Sequence, residues 1–359
     1  MTDLAVVGCG PAGARTAKNF ASQGHDVVVL EKGVVGKPLA CSGHVSGDIW
    51  SYLPDGAKDD LLQNKIKGAR FHVDGQTYRF YKDETVSYVI DRVEMDRVFA
   101  EEARDAGAEI RTETPVRRIH EGAAGVRVET PDDVVQAEMV AGCDGPRSRT
   151  RADLGIEDPT RTLQGILAFT EEDDDGDFVD VYLDVPDFFG WRIPRGDSVE
   201  YGAASERHVQ RRFREIVSPE CETVDLCAGH IPIGPPSTTV SNRGFLVGDA
   251  AAQVKPFTGG GILYGLTAAD IAARVIDLSQ PGTLPRYDEE WRDVLGRDIF
   301  LGDIVRRGYG VNSILQRLGL RSFRGEINVH MDRPTTLFNR RTLRRVFSNL
   351  FTGTETRER

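Results

Sequence analysis

Residues 4–13 read LAVVGCGPAG and residues 26–31 read DVVVLE, with a helical pattern between them. The two apolar runs predict buried strands, so the segment forms a βαβ unit of about 30 residues. Its glycines follow the spacing Gly8-x-Gly10-x-x-Gly13. We expect Gly8 to permit a tight turn, Gly10 to let a pyrophosphate approach the backbone, and Gly13 to let helix and strand pack closely. The pattern predicts a Rossmann-like, dinucleotide-binding unit.

An acidic side chain ends the second strand. Glu31 follows Gly13 by 18 residues, where a carboxylate is expected to accept hydrogen bonds from ribose hydroxyls. The helix N-terminus between them supplies free N–H groups and partial positive charge to a phosphate. NAD and FAD both use this arrangement, so the unit alone leaves the dinucleotide open.

Three later segments suit the same kind of ligand. Residues 88–96 read YVIDRVEMD, where Arg92 can pair with a phosphate. Residues 142–148 read GCDGPRS, a tight turn that follows a strand and suits close backbone approach. Residues 245–262 read FLVGDAAAQVKPFTGGGI, in which Asp249 can accept from a ribityl hydroxyl and the glycines bring a helix N-terminus close to a phosphate or a flavin oxygen. The two glycine-rich sites are over 230 residues apart, so we expect a nucleotide domain built from discontinuous pieces.

The middle of the chain has a different character. Short β-like runs fill residues 165–203, around an acidic loop at residues 171–177, and predict a mostly antiparallel sheet. The fold class is therefore α/β (α+β overall), with a Rossmann-like domain, an antiparallel-sheet substrate domain and a C-terminal helical segment. The predicted division is 1–69, 89–155 and 240–285 for the nucleotide domain, 70–88 and 156–239 for the substrate domain, and 286–359 for the helical, basic segment.

Composition excludes several classes of protein. Among the 359 residues no apolar run approaches the roughly 18–20 residues of a membrane span. The start, MTDLAVVGCG, lacks a basic region ahead of its apolar stretch, so we expect no signal peptide and a cytoplasmic protein. The five cysteines include no CxxC pair, which supports neither a disulfide scaffold nor a zinc site.

The charge is unevenly distributed. The net charge is −11, and only 8 of the 45 basic residues are Lys. Two explanations stay open, adaptation to high salt and a genomic bias toward Arg codons. Residues 305–359 contain 12 Arg and 4 acidic residues, a charge of +8. An acidic body with a basic tail argues against nucleic-acid binding but suits an anionic surface.

The basic tail contains an amphipathic pattern. Residues 339–351 read NRRTLRRVFSNLF, with apolar residues on one helical stripe and four Arg mainly off it. The pattern predicts a basic helix. It either docks on a membrane surface through residues 337–351 or packs on the protein's own core.

The motifs, taken in order, resemble the p-hydroxybenzoate hydroxylase superfamily of FAD flavoproteins over residues 1–275. Within it the chain most resembles the geranylgeranyl reductase family, which includes archaeal digeranylgeranylglycerophospholipid reductases. Residues 38–43, PLACSG, resemble the family's cysteine-bearing loop, and residues 189–194, FGWRIP, resemble its Tyr-x-Trp-x-Phe-Pro motif. Phe189 and Ile193 depart from that motif, and Gly202-Ala-Ala replaces a later Gly-x-Gly.

The resemblance implies FAD as the cofactor. It implies FAD contacts from Gly8, Gly10, Ala12, Gly13, Glu31, Lys32, Cys41, Ser42, Gly43, Arg92, Val116, Asp144, Asp249, Gly260, Gly261 and Ile262. It also implies substrate contacts from Phe189, Trp191 and Pro194. The candidate catalytic residues are Cys41 for proton delivery, Trp191, and His44 as a proton relay. Each has a structural alternative: a small buried thiol, a core aromatic and a solvated loop histidine.

The function that the resemblance implies is reduction of isoprenoid C=C bonds on an archaeal ether lipid or its precursor. A hydride comes from reduced flavin, and a proton completes the reaction. The electron donor stays open between NAD(P)H and a ferredoxin-like protein, since no second GxGxxG is present. One alternative is a flavin monooxygenase or halogenase acting on a small aromatic. Residues 191–194 also resemble the end of the halogenase motif Trp-x-Trp-x-Ile-Pro, although Phe189 replaces its first Trp. Another is a non-enzymatic flavoprotein sensor or a membrane-associated binding protein. The expected partners are the prenylated lipid, the inner face of the membrane and an electron-donor protein.

Overall fold

The computed structural model describes residues 1–37, 41–217, 223–323, 325–326 and 330–338. Its strands, numbered along the chain, are β1 (Thr2–Val7), β2 (Val27–Leu30), β3 (His44–Ser46), β4 (Leu62–Ile66), β5 (Gly68–Val73), β6 (Gln76–Tyr81), β7 (Ser87–Ile90), β8 (Glu109–Arg111), β9 (Arg118–Gly122), β10 (Gly125–Glu129), β11 (Val134–Gly142), β12 (Arg161–Thr170), β13 (Phe178–Tyr182), β14 (Gly190–Pro194), β15 (Val199–Ser205), β16 (Thr223–Ile233), β17 (Gly244–Leu246) and β18 (Gly325–Glu326). Its α-helices are α1 (Pro11–Ser22), α2 (Ala57–Leu61), α3 (Arg92–Asp105), α4 (Arg149–Asp153), α5 (Val209–Ile216), α6 (Ile262–Val275), α7 (Leu284–Arg307) and α8 (Ser313–Phe323).

The first sheet is the predicted Rossmann-like unit. Its order is β8-β2-β1-β11-β10-β9, and β17 pairs with the C-terminal end of β11. The strands β8, β2, β1, β11 and β17 run parallel, whereas β9 and β10 form an antiparallel hairpin. All four residues of β2 are buried, as expected for a parallel strand covered on both faces. The βαβ unit predicted from residues 4–31 is confirmed.

Helices cover one face of this sheet. α1 contacts both α3 and α6, and their apolar sides form the main core together with α7. Trp291, Tyr287 and Phe20 are its largest fully buried members, each 0% exposed. This packing places the N-termini of α1 and α6 at the same edge of the sheet, where the glycine loops lie.

The second sheet confirms the predicted antiparallel region. Its order is β16-β12-β15-β14-β13-β5-β6-β18. Most neighbours are antiparallel, and the exceptions are β13 with β5 and β18 with β6. A third, small sheet has the order β3-β7-β4. It carries the loop that precedes His44 and connects the two larger sheets.

The sequence-based division differs from this topology in two places. The boundary at residues 69/70 cuts through β5, which begins at Gly68. The strand β7 belongs to the small sheet rather than to the antiparallel one. Both differences arise because strand pairing is non-local, so the pattern of one strand does not reveal its neighbours.

Two helices, α7 and α8, follow the sheets and confirm a helical C-terminal segment. The predicted basic helix at residues 339–351 lies outside the described residues. Over the part of the chain that the structure describes, no helix is long and apolar enough to span a bilayer.

Candidate functional site

A single large cavity joins the glycine loops to the antiparallel sheet. Its volume is about 1710 Å³, above the roughly 300–1,000 Å³ of usual small-molecule sites. It therefore has room for more than one ligand. The predicted site residues that line it are Gly8, Gly10, Ala12, Glu31, Lys32, Cys41, Ser42, His44, Arg92, Val116, Asp144, Phe189, Trp191, Asp249, Gly260, Gly261 and Ile262.

The first glycine loop has the geometry that its spacing predicts. Gly8 has a φ of +95°, and a Cβ there would lie 2.5 Å from the Cys143 carbonyl oxygen. A Cβ on Gly13 would lie 2.0 Å from the Gly8 carbonyl oxygen. At Gly10, by contrast, a Cβ would meet no protein atom within 4 Å and would enter the cavity. Gly8 and Gly13 thus allow close packing, and Gly10 keeps the cavity open.

The acidic residue after β2 is tied to this loop. One Glu31 oxygen accepts from the Cys9 N–H at 2.8 Å, and the other accepts from the Gly33 N–H at 3.0 Å. These bonds hold the carboxylate at the cavity wall, where its remaining lone pairs can accept from a ribose. Val116 is half-buried in the wall, and Lys32 is exposed at it.

Arg92 lies at the start of α3 and is 7% exposed. Its Nη2 donates to both oxygens of Asp96, at 2.7 and 2.8 Å. Burial disfavours its charge, yet Asp96 and the neighbouring Cys41 thiol raise the pKa of Arg92 above its usual value. Its Nε is buried without a hydrogen-bond partner among the described residues. Arg92 therefore brings a permanent positive charge and a free donor to the side of the cavity that holds Cys41.

Cys41 is a free thiol of intermediate burial in the loop before β3. This loop is pinned through its backbone. The Ser42 carbonyl accepts from Arg195 at 2.6 Å, and the Gly43 carbonyl accepts from the Ile90 N–H at 3.0 Å. Residues 38–40 of the predicted cysteine loop lie outside the described residues.

His44 lies next to this loop at the cavity wall. Its Nε2 is 2.7 Å from the Ser87 Oγ. Burial, reinforced by the positive charge of Lys255, lowers the pKa of His44 to about 4. The imidazole is therefore neutral at pH 7 and can both accept and donate a proton.

Asp144 plays a local structural part. Its Oδ1 accepts from the Ser148 hydroxyl at 2.5 Å, and its Oδ2 accepts from the Thr150 N–H and hydroxyl at 2.9 and 3.1 Å. These bonds fix the turn before α4. The contribution of this segment to a ligand is therefore chiefly the close approach of its backbone.

The second glycine loop carries Asp249, whose carboxylate differs from that of Asp144 in its hydrogen bonding. Asp249 forms no side-chain hydrogen bond within the described residues, and its Oδ1 would lie 2.4 Å from a Cβ on Gly261. Burial raises the pKa of Asp249 to about 6, although Arg92 favours the charged form. Gly261 is the N-cap of α6, and Ile262 is its first residue. The loop thus places a carboxylate and a helix N-terminus side by side.

The aromatic motif lies on β14 and the residue before it. Phe189, Trp191 and Ile193 line the cavity, whereas Arg192 faces the other side and pairs with Glu172 and Asp174. The period of two along a strand explains this alternation. The Trp191 indole covers Gly202, its partner on β15. The contact is so close that a Cβ on Gly202 would lie 2.1 Å from the indole Cε2.

Three predicted residues lie outside the cavity lining. Gly13 packs against Gly8, as described above. Gly43 has a φ of +67°, and a Cβ there would lie 2.3 Å from the Ile90 carbonyl oxygen. Pro194 is buried on the opposite side of β14 from Trp191, and its carbonyl accepts from Asn64 at 3.0 Å. The predicted substrate contact of Pro194 is therefore not supported, since the strand alternation turns it away.

Two buried ion pairs at the site escaped sequence reasoning. Glu200 on β15 is 0% exposed and pairs with Arg195 at 2.9 Å. Lys255 pairs with Asp332 beside Gly260, and each is 4% exposed. A charged residue inside an otherwise apolar strand, as in residues 199–205 (VEYGAAS), was the available signal for the first pair. The partner of Lys255 is 77 residues away, so no local signal existed for the second.

The lining fits FAD. The first turn of α1 has no side-chain cap and no acidic residue, which leaves its N–H groups free for a pyrophosphate. A Cβ at Gly10 would meet no protein atom within 4 Å. Among the described residues, the Arg92 Nε has no hydrogen-bond partner and the Asp249 carboxylate forms no side-chain hydrogen bond. A dinucleotide supplies groups that complement each of these.

Comparison with known proteins agrees with this geometry. Two family profiles, each described as an FAD binding domain, match residues 50–215 and 3–94. The digeranylgeranylglycerophospholipid reductase of Methanothrix thermoacetophila is 30% identical over 334 residues, covering 83% of this chain and 84% of the relative. The protein of the same name from Methanosarcina acetivorans is 29% identical, with coverage of 85% and 84%.

Solved structures show the same fold. A geranylgeranyl bacteriochlorophyll reductase-like protein from Thermoplasma acidophilum has a TM-score of 0.82 at 21% identity, over 98% of this chain and 96% of that one. The halogenase PltM, solved with FAD, has a TM-score of 0.70 at 14% identity, over 90% and 79%. The FAD-binding matches and the similarity to the reductases over most of both sequences agree with the site. The chain belongs to the digeranylgeranylglycerophospholipid reductase family.

Proposed function

We propose that the chain is an FAD-dependent oxidoreductase acting on CH–CH groups, which saturates C=C bonds of geranylgeranyl chains. The substrate is an archaeal membrane ether lipid or its precursor. The observation that carries the proposal is the continuity of the cavity. One end has the glycine loops and charged groups that suit FAD. The other is lined by apolar side chains, namely Ile66, Phe71, Phe80, Val179, Val181, Phe188, Phe189, Tyr309, Leu320 and Phe323.

The cofactor is held by the glycine loops. The first turn of α1 and Gly10 receive the pyrophosphate, Glu31 accepts from the ribose, and Asp249 accepts from a ribityl hydroxyl. Reduced FAD supplies a hydride to one carbon of the alkene when it is bound. A proton reaches the other carbon, so that two electrons and two hydrogens saturate one C=C bond.

The apolar end orients the chain. Phe188 and Phe189 are stacked with centroids 4.2 Å apart, and Tyr309 meets Phe189 edge-on at 5.7 Å. Trp191 is the next aromatic toward the small sheet, 6.0 Å from Phe189. An isolated alkene is a weak electrophile, so the chain must be held close to the hydride donor and away from water.

Proton delivery falls to the loop before β3. The Cys41 thiol is the donor, and the Arg92 charge beside it stabilises the thiolate left behind. His44, hydrogen-bonded to Ser87, relays a proton from solvent to the Cys41 thiolate: the neutral imidazole accepts the solvent proton on one ring nitrogen as it donates its own proton from the other. The pinned Ser42 and Gly43 carbonyls keep the donor in place.

An anaerobic assay tests this function. The FAD-reconstituted protein is reduced with dithionite and mixed with a geranylgeranylated lipid, and the products are examined by mass spectrometry. Stepwise gain of hydrogen pairs, absent when the flavin is left oxidised, supports the reductase. An unchanged lipid, with flavin reoxidised only by air and oxygen or halide transferred to an aromatic, would instead support a monooxygenase or halogenase. Tight FAD and lipid binding without any turnover would support a binding protein.

We also propose three features of the cellular setting. The protein works at the inner face of the membrane, with residues 337–351 contributing to the contact, and it receives electrons from NAD(P)H or a ferredoxin-like protein. Its acidic surface, with 56 acidic against 45 basic residues, is an adaptation to high salt. Repulsion between the carboxylates is screened as salt rises from about 0.1 M to about 1 M. The midpoint of thermal unfolding should therefore increase over that range.

A further inference from the structure

Exposed apolar side chains concentrate in one segment of the chain, which comprises α7, α8 and the turn between them. The structure places twelve large hydrophobic residues at exposed positions within the described chain, and seven of them lie between residues 294 and 318. Three of them share a stripe on α7 with Arg297 and Arg307, three occupy the outward side of α8, and one lies between the two helices. The seven are Val294, Phe300, Ile304, Val311, Ile314, Leu315 and Leu318.

The helix α8 is apolar on two opposite sides. Its inner side places Leu320 and Phe323 against the aromatic residues of β5 and β6. Its outer side exposes 62% of Ile314, 59% of Leu315 and 52% of Leu318. A surface helix in water normally shows a polar outer side, so this arrangement indicates that the outer side meets another apolar phase.

The charges around this surface favour an anionic partner. Residues 304–323 contain four Arg and no Asp or Glu, in a protein whose net charge is −11. Arg306 is buried, and both Arg306 and Arg307 pair with Asp303, so the positive charge of this surface comes from the other two. Arg317 and Arg321 form no ion pair within the described residues. A second copy of the same surface would bring like charges together, and so would residues 339–351, which themselves carry four Arg. A bilayer with anionic headgroups supplies both the apolar phase and the opposite charge.

The surface is continuous with the cavity. Ile304 on α7 is exposed to solvent and also lines the cavity. Leu320 and Phe323 line the cavity from α8, and Tyr309 lines it from the turn between the two helices. Residues of α7 and α8 therefore border both this surface and the apolar end of the cavity.

We propose that this α7–α8 surface, formed by Phe300, Ile304, Ile314, Leu315 and Leu318 with Arg317 and Arg321, docks on an anionic lipid bilayer. It thereby places the opening of the cavity at the level of the lipid chains. The inference rests on the proposed function for the identity of the substrate. The docking itself rests only on the exposure, charge and position of these residues.

Co-sedimentation of the full-length, FAD-loaded protein with vesicles tests the docking. The vesicles are phosphatidylglycerol or, for comparison, phosphatidylcholine. The Leu315→Ser/Leu318→Ser variant should bind phosphatidylglycerol vesicles at least tenfold more weakly. Arg317→Gln and Arg321→Gln should each weaken binding about fivefold, equivalent to about 1 kcal/mol per charge, and should hardly affect phosphatidylcholine binding. The controls are Leu226→Ser, 65% exposed on β16, and Arg286→Gln near the start of α7.

The outcomes separate the docking from the chemistry. Reduction of lipid dispersed in detergent should be unchanged in the Leu315/Leu318 variant, since neither side chain lines the cavity. Wild-type protein that binds neither vesicle, or variants that bind as tightly as wild type, would overturn the proposal. Conversion of a dimer into a monomer by the same variants, with vesicle binding intact, would assign the surface to a second copy. The same variants are also made in a protein that lacks residues 339–359. If deletion of residues 339–359 does not increase vesicle binding, and the variants bind vesicles as tightly as the deleted protein without them, the α7–α8 surface is not the docking site. Absence of lipid reduction with vesicle binding intact would count against the proposed function alone.

Discussion

The indole Nε1 of Trp191 donates a hydrogen bond of 2.7 Å to Oε1 of Glu200, a side chain with no solvent exposure. The other Glu200 oxygen accepts from Arg195, which in turn donates to the Ser42 carbonyl. One chain of hydrogen bonds therefore runs from the aromatic motif on β14 to the loop that carries Cys41. These hydrogen bonds couple the position of Trp191 to the position of the loop that carries Cys41.

The Glu200–Arg195 pair should show strong coupling. Glu200→Gln leaves the Arg195 charge buried without its partner, and we expect a loss of about 3–5 kcal/mol in the free energy of unfolding. The Glu200→Leu/Arg195→Met double variant should lose less than either single variant with the same residues, because it leaves no unpaired buried charge. Denaturant unfolding of all forms measures the coupling. A double variant whose loss equals the sum of the two single losses would show that the pair is not coupled.

The Trp191–Gly202 contact should govern substrate binding. Gly202→Ala forces the indole to move, since the new Cβ would lie 2.1 Å from its Cε2. A displacement of about 1 Å can reduce turnover about a hundredfold. We expect a large fall in kcat/KM for lipid reduction with the FAD affinity unchanged. Gly282→Ala, where a Cβ meets no protein atom within 4 Å, is the matched control. Equal effects of the two substitutions would contradict the role of this contact.

Substitutions at Gly10 and Gly13 in the first loop should have different effects, the first on FAD affinity and the second on folding stability. Gly10→Ala places a methyl group in the open cavity, so we expect FAD to bind at least tenfold more weakly while unfolding of the FAD-free protein is unchanged. Gly13→Ala places it against the Gly8 carbonyl and should destabilise the protein by about 1–3 kcal/mol. Calorimetry measures both quantities. The same profile for both variants would show that Gly10 does not face the ligand.

Asp249 should destabilise the FAD-free protein at neutral pH. Its pKa is raised to about 6 in the folded state, so between about pH 4 and 6 the folded state binds more protons than the unfolded state. The contribution of Asp249 to the free energy of unfolding is fully present below the pKa of the unfolded state, and it is lost as the pH rises through 6. Asp249→Asn should therefore stabilise the protein by about 1–3 kcal/mol at pH 7, have little effect at pH 4, and weaken FAD binding. Stabilisation that does not vary with pH would contradict this assignment.

Cys41 should control the protonation step alone. We expect Cys41→Ala to slow lipid reduction by about 10²–10⁴-fold, the usual range for a lost general acid. Cys9, Cys143 and Cys227 also line the described cavity, but Cys41 is the thiol that interacts with Arg92. FAD binding and reduction of the flavin by dithionite should be unchanged. Stopped-flow spectra of flavin reoxidation by lipid measure the step. Wild-type rates in the variant would remove Cys41 from proton delivery.

Much of this architecture follows from local sequence. The apolar runs at residues 4–7 and 27–30 predict parallel strands, because a strand covered on both faces has no polar side. The glycine spacing predicts the loop at α1, since only glycine allows the φ of Gly8 and the close packing at Gly13. The motif at residues 245–262 likewise predicts the loop at α6. These features depend on neighbours within a few residues, so they can be inferred without the fold.

Other features depend on which distant segments meet. Glu200 and Arg195 become a buried pair only because β14 and β15 pair in one register, and Lys255 meets Asp332 only after the chain returns over 77 residues. The outward apolar side of α8 is visible only once Leu320 and Phe323 are known to face inward. Sequence by itself determined the strands, the glycine loops and the family of this protein. Tertiary structure alone decided which charges are buried together and which apolar side chains remain uncovered, because desolvation and pairing depend on contacts between residues far apart in the chain.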